Sequence, residues 1–274
     1  MTNGQPVLVA TDLSARSDRA VDRALMLAEQ WGVQLIVLHA LEAGSYLEGK
    51  LEAAERSIRA TLRDPDADVS ILPAVGAAPS VIVDAATSAA CSLIVTGVAR
   101  FNNVGDYFIG TAVDHVVRHA TVPVLIVKNR PRKPYAKVLI ATDYSNCSRA
   151  ALTAAVNLFP NAEIHVIHAY HVPYEGWLSS QQVKDEVADG AKQQLDSFIA
   201  SLDNSEDISG RISAHLGYGE TPSVIIRAVS EIGVDLVVLG THGRSGFVRS
   251  VVGSMAEELL QILPVDTLVV RTQS

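Results

Sequence analysis

Cysteine is scarce in this 274-residue chain; the two present, Cys91 and Cys147, have no metal-like spacing and make no disulfide framework, which fits a reducing compartment with two ordinary thiols. Positive charge is also short, with 22 Lys and Arg against 30 Asp and Glu and a net charge of −8. An acidic chain is a poor general binder of nucleic acid or of anionic membranes. A local phosphate site is not excluded, because backbone N–H groups hold phosphate without net positive charge. No apolar run approaches the roughly 18 to 20 residues of a membrane span. The N-terminal MTNGQPVLVATD lacks a basic region followed by an apolar stretch and a cleavage site. The expectation is a soluble, cytoplasmic protein with neither nucleic acid nor membrane as partner. What is abundant is hydrophobic residues, at 48%, enough for one large domain or two ordinary ones.

The chain repeats itself. VLVATDLS (7–14) returns as VLIATDYS (138–145), an offset of 131. LIVTG (93–97) returns as LVVLG (236–240), PSVIV (79–83) as PSVII (222–226), and GTAVDHVVRHATVPVLIV (110–127) as GSMAEELLQILPVDTLVV (253–270), all offset by 143. The two offsets place a net insertion of 12 residues in the second copy, mostly between His168 and Gly217. The period is too long for a solenoid, so the copies are expected to be domains, over 1–130 and 135–274. The basic, proline-containing KNRPRKPYA (128–136) is expected to be a short, semi-stiff linker.

Within each copy, short apolar runs rich in Val, Ile and Leu read as strands buried on both faces. In the first copy they are 6–11, 33–39, 68–75, 92–97 and 122–127. Between them the period is helical: Val21, Ala24, Leu25 and Ala28 share one spacing with Leu152, Ala155, Val156 and Phe159. Ser14 and Ser145 are expected N-caps and Gly32 a C-terminal stop. The fold class is therefore α/β, with two tandem doubly wound, Rossmann-like domains, each a five-stranded parallel sheet flanked by four helices. Such sheets bind ligands beyond the carboxyl ends of their strands.

At that end of the second copy lies GTHGRSGFVRSVVGS (240–254). Its spacing is Gly240, two residues, Gly243, nine residues, Gly253-Ser254. Glycine lets backbone N–H groups approach a bulky anion, and the helix expected to start near Gly253 adds free donors, the positive end of its dipole and the Ser254 hydroxyl. A flexible surface loop that merely tolerates glycine is the bland reading. The spacing arises by chance in about one chain in a hundred of this size, so its place after a strand is what gives it weight. There is no P-loop signature, and GYGETP (217–222) has proline at the third glycine position of a dinucleotide fingerprint. That segment is expected to be the turn before a proline-started helix.

The pattern G-x(2)-G-x(9)-G-[ST] after a strand, with ATD closing the first strand, HA closing the second and PVLIV or DTLVV last, resembles the universal stress proteins almost end to end in both copies. The resemblance implies a tandem member of a family that divides into ATP-binding proteins and proteins lacking the loop. It implies ribose contact by Asp143 at the end of the Ala141-containing strand, and adenine contact by the Ala169 backbone. It also implies that Leu239, Gly240, His242, Gly243, Gly253, Ser254 and Met255 surround ribose and phosphates, with Mg²⁺ only as companion of ATP. Arg244 is added on charge grounds, and Ala256 stands where some ATP binders carry a hydroxyl. In the first copy Arg100 replaces the second glycine. It either crowds the phosphate or contacts it directly; Asp12, Gly97, Arg100, Gly110 and Thr111 are the residues of a weaker site there.

Other candidates carry less. His115 and His119 lie four apart on an expected helix but lack a third metal ligand, and His165 and His168 fall on opposite faces of a strand. No nucleophile elbow or positioned base is found, so no catalytic residue is assigned. Three functions follow: a nucleotide-dependent sensor or regulator in a stress response, acting mainly through the second domain and an unknown protein partner; a scaffold with vestigial loops; or a slow Mg-dependent ATPase. The resemblance also implies pairing of last strands, here 122–127 with 266–270 within one chain as an intramolecular pseudo-dimer that covers two sheet edges; further association into a homodimer is left open.

Overall fold

The computed structural model describes residues 4–42, 44, 46–98, 100–103, 106–108, 110–171, 181–202, 210–241 and 252–272, without the side chains of 100–103, 106–108, 181, 183 and 184. It divides into two compact units, Met1–Pro134 with Leu260–Val269, and Tyr135–Leu259 with Val270–Thr272.

In the first unit the chain runs β1 (Val7–Thr11), α1 (Asp18–Trp31), β2 (Leu35–Leu41), α2 (Leu51–Arg59), β3 (Ser70–Val75), α3 (Ala78–Ser88), β4 (Leu93–Gly97), β5 (Arg100–Asn103), β6 (Asp106–Phe108), α4 (Gly110–His119) and β7 (Val124–Val127). The second unit continues with β8 (Lys137–Ala141), α5 (Asn146–Leu158), β9 (Glu163–Tyr170), α6 (Gln181–Ala200), β10 (Ile212–Tyr218), α7 (Thr221–Ile232), β11 (Leu236–Gly240) and α8 (Ser254–Ile262), and β12 (Asp266–Val270) closes the chain. This is the expected α/β alternation of parallel strands and helices. The 20-residue α6 against the nine-residue α2 accounts for most of the insertion in the second copy.

Parallel strands lie in the order β3-β2-β1-β4-β7 in the first unit and β10-β9-β8-β11 in the second. Strands covered on both faces need apolar side chains on both, and Val7, Leu8, Val9, Leu93 and Val95, like Leu139, Ile140 and Leu236–Val238, are fully enclosed. Helix α1 buries Ala20, Val21, Ala24, Leu27 and Ala28, so the apolar stripe is the expected one with Leu27 rather than Leu25 at its centre. Gly32 ends α1 at φ 63, a left-handed cap. Ser145 caps α5 by accepting the Ser148 N–H. Ser14 does not cap α1. Its N–H and hydroxyl both bond Asp12 Oδ1, at 3.0 and 2.6 Å, and this local turn delays the helix to Asp18.

The chain end completes the first unit. Thr267, Leu268 and Val269 of β12 pair antiparallel with Ile126, Leu125 and Val124 of β7, the pairing of last strands that the family resemblance leads one to expect. A buried polar staple secures it. The Lys128 and Asn129 N–H groups donate to Asp266 Oδ1, and Lys128 Nζ donates to the Leu260 and Leu263 carbonyls, both at 2.7 Å. Arg23 faces the other oxygen of Asp266 at 3.6 Å. Burial pulls the Lys128 ammonium down to about 7, against the opposing attraction of Asp266. Even a neutral amine keeps two N–H donors for the two carbonyls.

Candidate functional site

Three strand ends and two helix starts frame a cleft of about 210 Å³ in the second unit. Ala141, Thr142 and Asp143 come from the end of β8, Ile167, His168 and Ala169 from β9, and Leu239 and Gly240 from β11. Gly253, Met255, Ala256 and Leu259 come from the start of α8, and Thr221 and Ile225 from α7. Apolar walls with a few convergent polar groups suit a flat ring carrying hydroxyls. The volume lies below the roughly 300–1,000 Å³ of ordinary ligand pockets.

The polar groups are oriented from behind. Asp143 Oδ1 accepts the Ser145 N–H at 3.1 Å. His168 Nδ1–H donates to the Thr142 carbonyl at 2.8 Å, which fixes the tautomer that the neutral ring must have. Thr142 Oγ1 donates to Ser148 Oγ at 3.0 Å and accepts the Tyr144 N–H at 3.0 Å.

Two of the glycines behave differently from the sequence expectation. The Gly253 N–H is already used, donating to the Thr241 carbonyl at 2.7 Å and closing the base of the loop. The first intrahelical bond of α8 runs from Glu257 N–H to Gly253 O, so the donors that lack an intrahelical acceptor are those of Ser254, Met255 and Ala256. At Gly240 a Cβ would meet the Cys147 carbonyl carbon at 2.7 Å and its oxygen at 2.8 Å. Glycine is required there because β11 ends against the backbone of α5, whatever the ligand. His242, Gly243 and Arg244, the centre of the expected phosphate loop, lie outside the described residues.

The first unit has a counterpart cleft of about 160 Å³, and most of its lining residues correspond to those of the second. Ala10, Thr11 and Asp12 stand for Ala141, Thr142 and Asp143; Ala40 for Ala169; Ile82 for Ile225; Gly97 for Gly240; Val116 for Leu259. Burial opposes the ionisation of Asp12, but hydrogen bonds from Ser14 and Ser17 outweigh it and hold the carboxyl below its usual value. Beyond Gly97 the loop is replaced by an antiparallel ribbon in which Arg100 pairs with Phe108 and Phe101 with Tyr107. Gly110, at φ 70, and Thr111 open α4, but neither is among the cleft-lining residues, unlike Asp12 and Gly97.

A family profile described as the universal stress protein family matches residues 4–128 and again 134–271. The chain belongs to the universal stress protein family. A putative universal stress protein of Staphylococcus haemolyticus is 25% identical over 142 residues, covering 51% of this chain and 86% of that protein. A universal stress protein of Methanocaldococcus jannaschii is 29% identical over 147 residues, covering 50% and 82%. Among solved structures, a universal stress protein of Archaeoglobus fulgidus aligns with a TM-score of 0.65 at 20% identity over 98% of both chains. A putative universal stress protein of Pseudomonas aeruginosa aligns with 0.69 at 20% identity, over 97% of this chain and 93% of that one. These last two are likenesses of fold.

For a tandem universal stress protein, then, the second cleft brings together Ala141, Asp143, Ala169, Leu239, Gly240, Gly253 and Met255 of the residues singled out in sequence. Ser254 opens α8 beside them with an exposed side chain. Thr142, Ser148, Ile167, Thr221, Ile225 and Leu259 also line it without having been singled out. The internal repeat held the signal for several, since the threonine and serine of the first strand–helix turn recur in both copies. Elsewhere, the His115 and His119 rings stack on one another at 4.0 Å, and His119 Nδ1–H donates to the His115 carbonyl. Among the described residues no group of three His, Cys, Asp or Glu side chains is placed to hold a metal, and no helix is long and apolar enough to cross a membrane.

Proposed function

We propose that the second unit of this universal stress protein binds ATP, with adenine and ribose in the cleft and phosphates over the start of α8, and that occupancy is the signal it carries. One observation carries the reading: Asp143, the Ala169 end of β9, Gly240 and the N-terminal turn of α8 all line a single cleft. Asp143 would accept from the ribose hydroxyls, and the backbone beyond β9 would read the edge of adenine. The N–H groups of Ser254, Met255 and Ala256, at the positive end of the helix dipole, would meet phosphate. Mg²⁺ would enter only on the phosphates. The second unit is favoured because the first offers the β5–β6 ribbon and Arg100 in place of the glycine loop.

Calorimetric titration of nucleotide-free protein with Mg-ATP tests this, alongside Gly243→Arg, which copies Arg100 into the second loop. One site, lost in the variant, is expected. A single site that survives the variant but is lost in Asp12→Ala would move the function to the first unit. No binding at millimolar ATP would sink the nucleotide reading in favour of a scaffold.

A further inference from the structure

Asp143 and His168 both line the second cleft, and the residue that follows the one in the chain and stacks on the other does not. Tyr144 has φ 66, a left-handed conformation rare for a residue with a bulky side chain, and its N–H is fixed on Thr142 Oγ1. Its ring stacks on His168 with centroids 4.2 Å apart and planes inclined by 29°. On its far side the ring approaches Phe198 of α6 at 5.7 Å, and its hydroxyl donates to the Ala191 carbonyl of α6 at 3.1 Å. Helix α6 buries Ala191, Leu195 and Phe198 along one stripe, so the tyrosine meets it on the face that holds it to the unit.

The first copy supplies an internal comparison. Leu13, the counterpart of Tyr144, has the same left-handed backbone at φ 60, and His39 bonds the Thr11 carbonyl as His168 bonds that of Thr142. The turn geometry therefore belongs to the repeat itself. The ring and hydroxyl that meet α6 belong to Tyr144 alone, in the copy whose second helix is the long one.

We infer that Tyr144 is a positioning residue that couples occupancy of the second cleft to the docking of α6, making that helix the surface on which the nucleotide state is read. A ligand that holds Asp143 and His168 restrains the residue that follows the one in the chain and stacks on the other. Its stacked ring and hydroxyl pass that restraint to Phe198 and Ala191. The effect requires that the docked state of α6 bind ligand better than the loosened one, and the coupling is then reciprocal.

The inference rests on the ATP reading, and the test separates the two. Backbone hydrogen exchange of 181–200 is followed in the full chain with and without Mg-ATP, with calorimetry on the same samples. ATP is expected to slow exchange there by about fivefold or more in the unsubstituted protein. Tyr144→Leu, which restores the residue of the first copy, is expected to bind ATP still, weakened by no more than about that same factor, and to lose the slowing. Tyr144→Phe keeps the stack and loses the hydroxyl, and is expected to fall between them. ATP that binds without changing exchange over 181–200, or that slows it equally in Tyr144→Leu, overturns the coupling alone. Absence of any ATP heat in the unsubstituted protein removes both readings.

Discussion

Gly240 and Gly97 occupy the same place in the two copies, at the ends of β11 and β4, yet they are glycine for different reasons. A Cβ at 240 would lie 2.7 Å from backbone of Cys147, whereas at 97 its nearest neighbour is the Arg16 carbonyl oxygen at an ordinary 3.7 Å. Backbone cannot swing aside as a side chain can, so Gly240→Ala is expected to destabilise by about 1–3 kcal/mol. Gly97→Ala is expected to stay within about 0.5 kcal/mol of the parent. Urea unfolding of both variants checks the contrast, and equal losses would refute it. Spacing alone could not tell these glycines apart, because a conserved-looking pattern gives no account of what passes behind it. Asp143 and Ala169 were singled out by the family resemblance, and both line the second cleft at strand ends. Tyr144 was not. Its role depends on a left-handed turn and a helix nearly fifty residues later, neither of which leaves a mark in the local sequence.

At the scale of elements, strands and helices were readable wherever a buried run or an apolar face repeated with its own period. The β5–β6 ribbon was missed because its strands, RFNN and DYF, are too short to show an apolar period and correspond to a glycine-rich stretch of sequence in the second copy. The β9–β10 pair adds something that the pattern of strands does not express. His165 Nδ1 and His215 Nε2 are 3.0 Å apart, so one ring must donate while the other accepts. Glu163 flanks His165 at 3.7 Å, and Lys137 lies within 4.0 Å of that carboxylate. Burial, then the neighbouring His215 and Lys137, hold His165 below its ordinary value against the pull of Glu163; burial does the same for His215. Below about pH 6.5 the unfolded chain therefore takes up protons that the folded pair resists, and stability falls as the pH falls. Urea midpoints measured between about pH 7.5 and 5.5 are expected to drop more for the unsubstituted chain than for His165→Gln/His215→Gln. Parallel drops would assign the acid sensitivity elsewhere.

For the whole molecule, the duplication was the strongest signal in the sequence, and the family profile matches the chain twice, over 4–128 and 134–271. Contacts divide it differently, giving Leu260–Val269 to the first unit. A fragment ending at Pro134 thus lacks the strand that covers β7, whose four residues Val124, Leu125, Ile126 and Val127 are all apolar and buried. Such an edge invites pairing with another copy. The fragment 1–134 is expected to self-associate, and a peptide spanning 260–271 to reverse it, as read by light scattering behind size-exclusion chromatography. A fragment that stays monomeric alone would show that the edge needs no cover.

That borrowed strand also imposes an order in time. The first half of the chain leaves the ribosome with β7 made and β12 not yet synthesised, and Asp266 follows Pro134 by 132 residues. At about 5–20 residues per second the interval is roughly 7 to 26 s. Through it the first unit must either wait unfinished or hold β7 against some temporary neighbour, and its last lock, the Lys128 N–H on Asp266, closes only after β12 has been made.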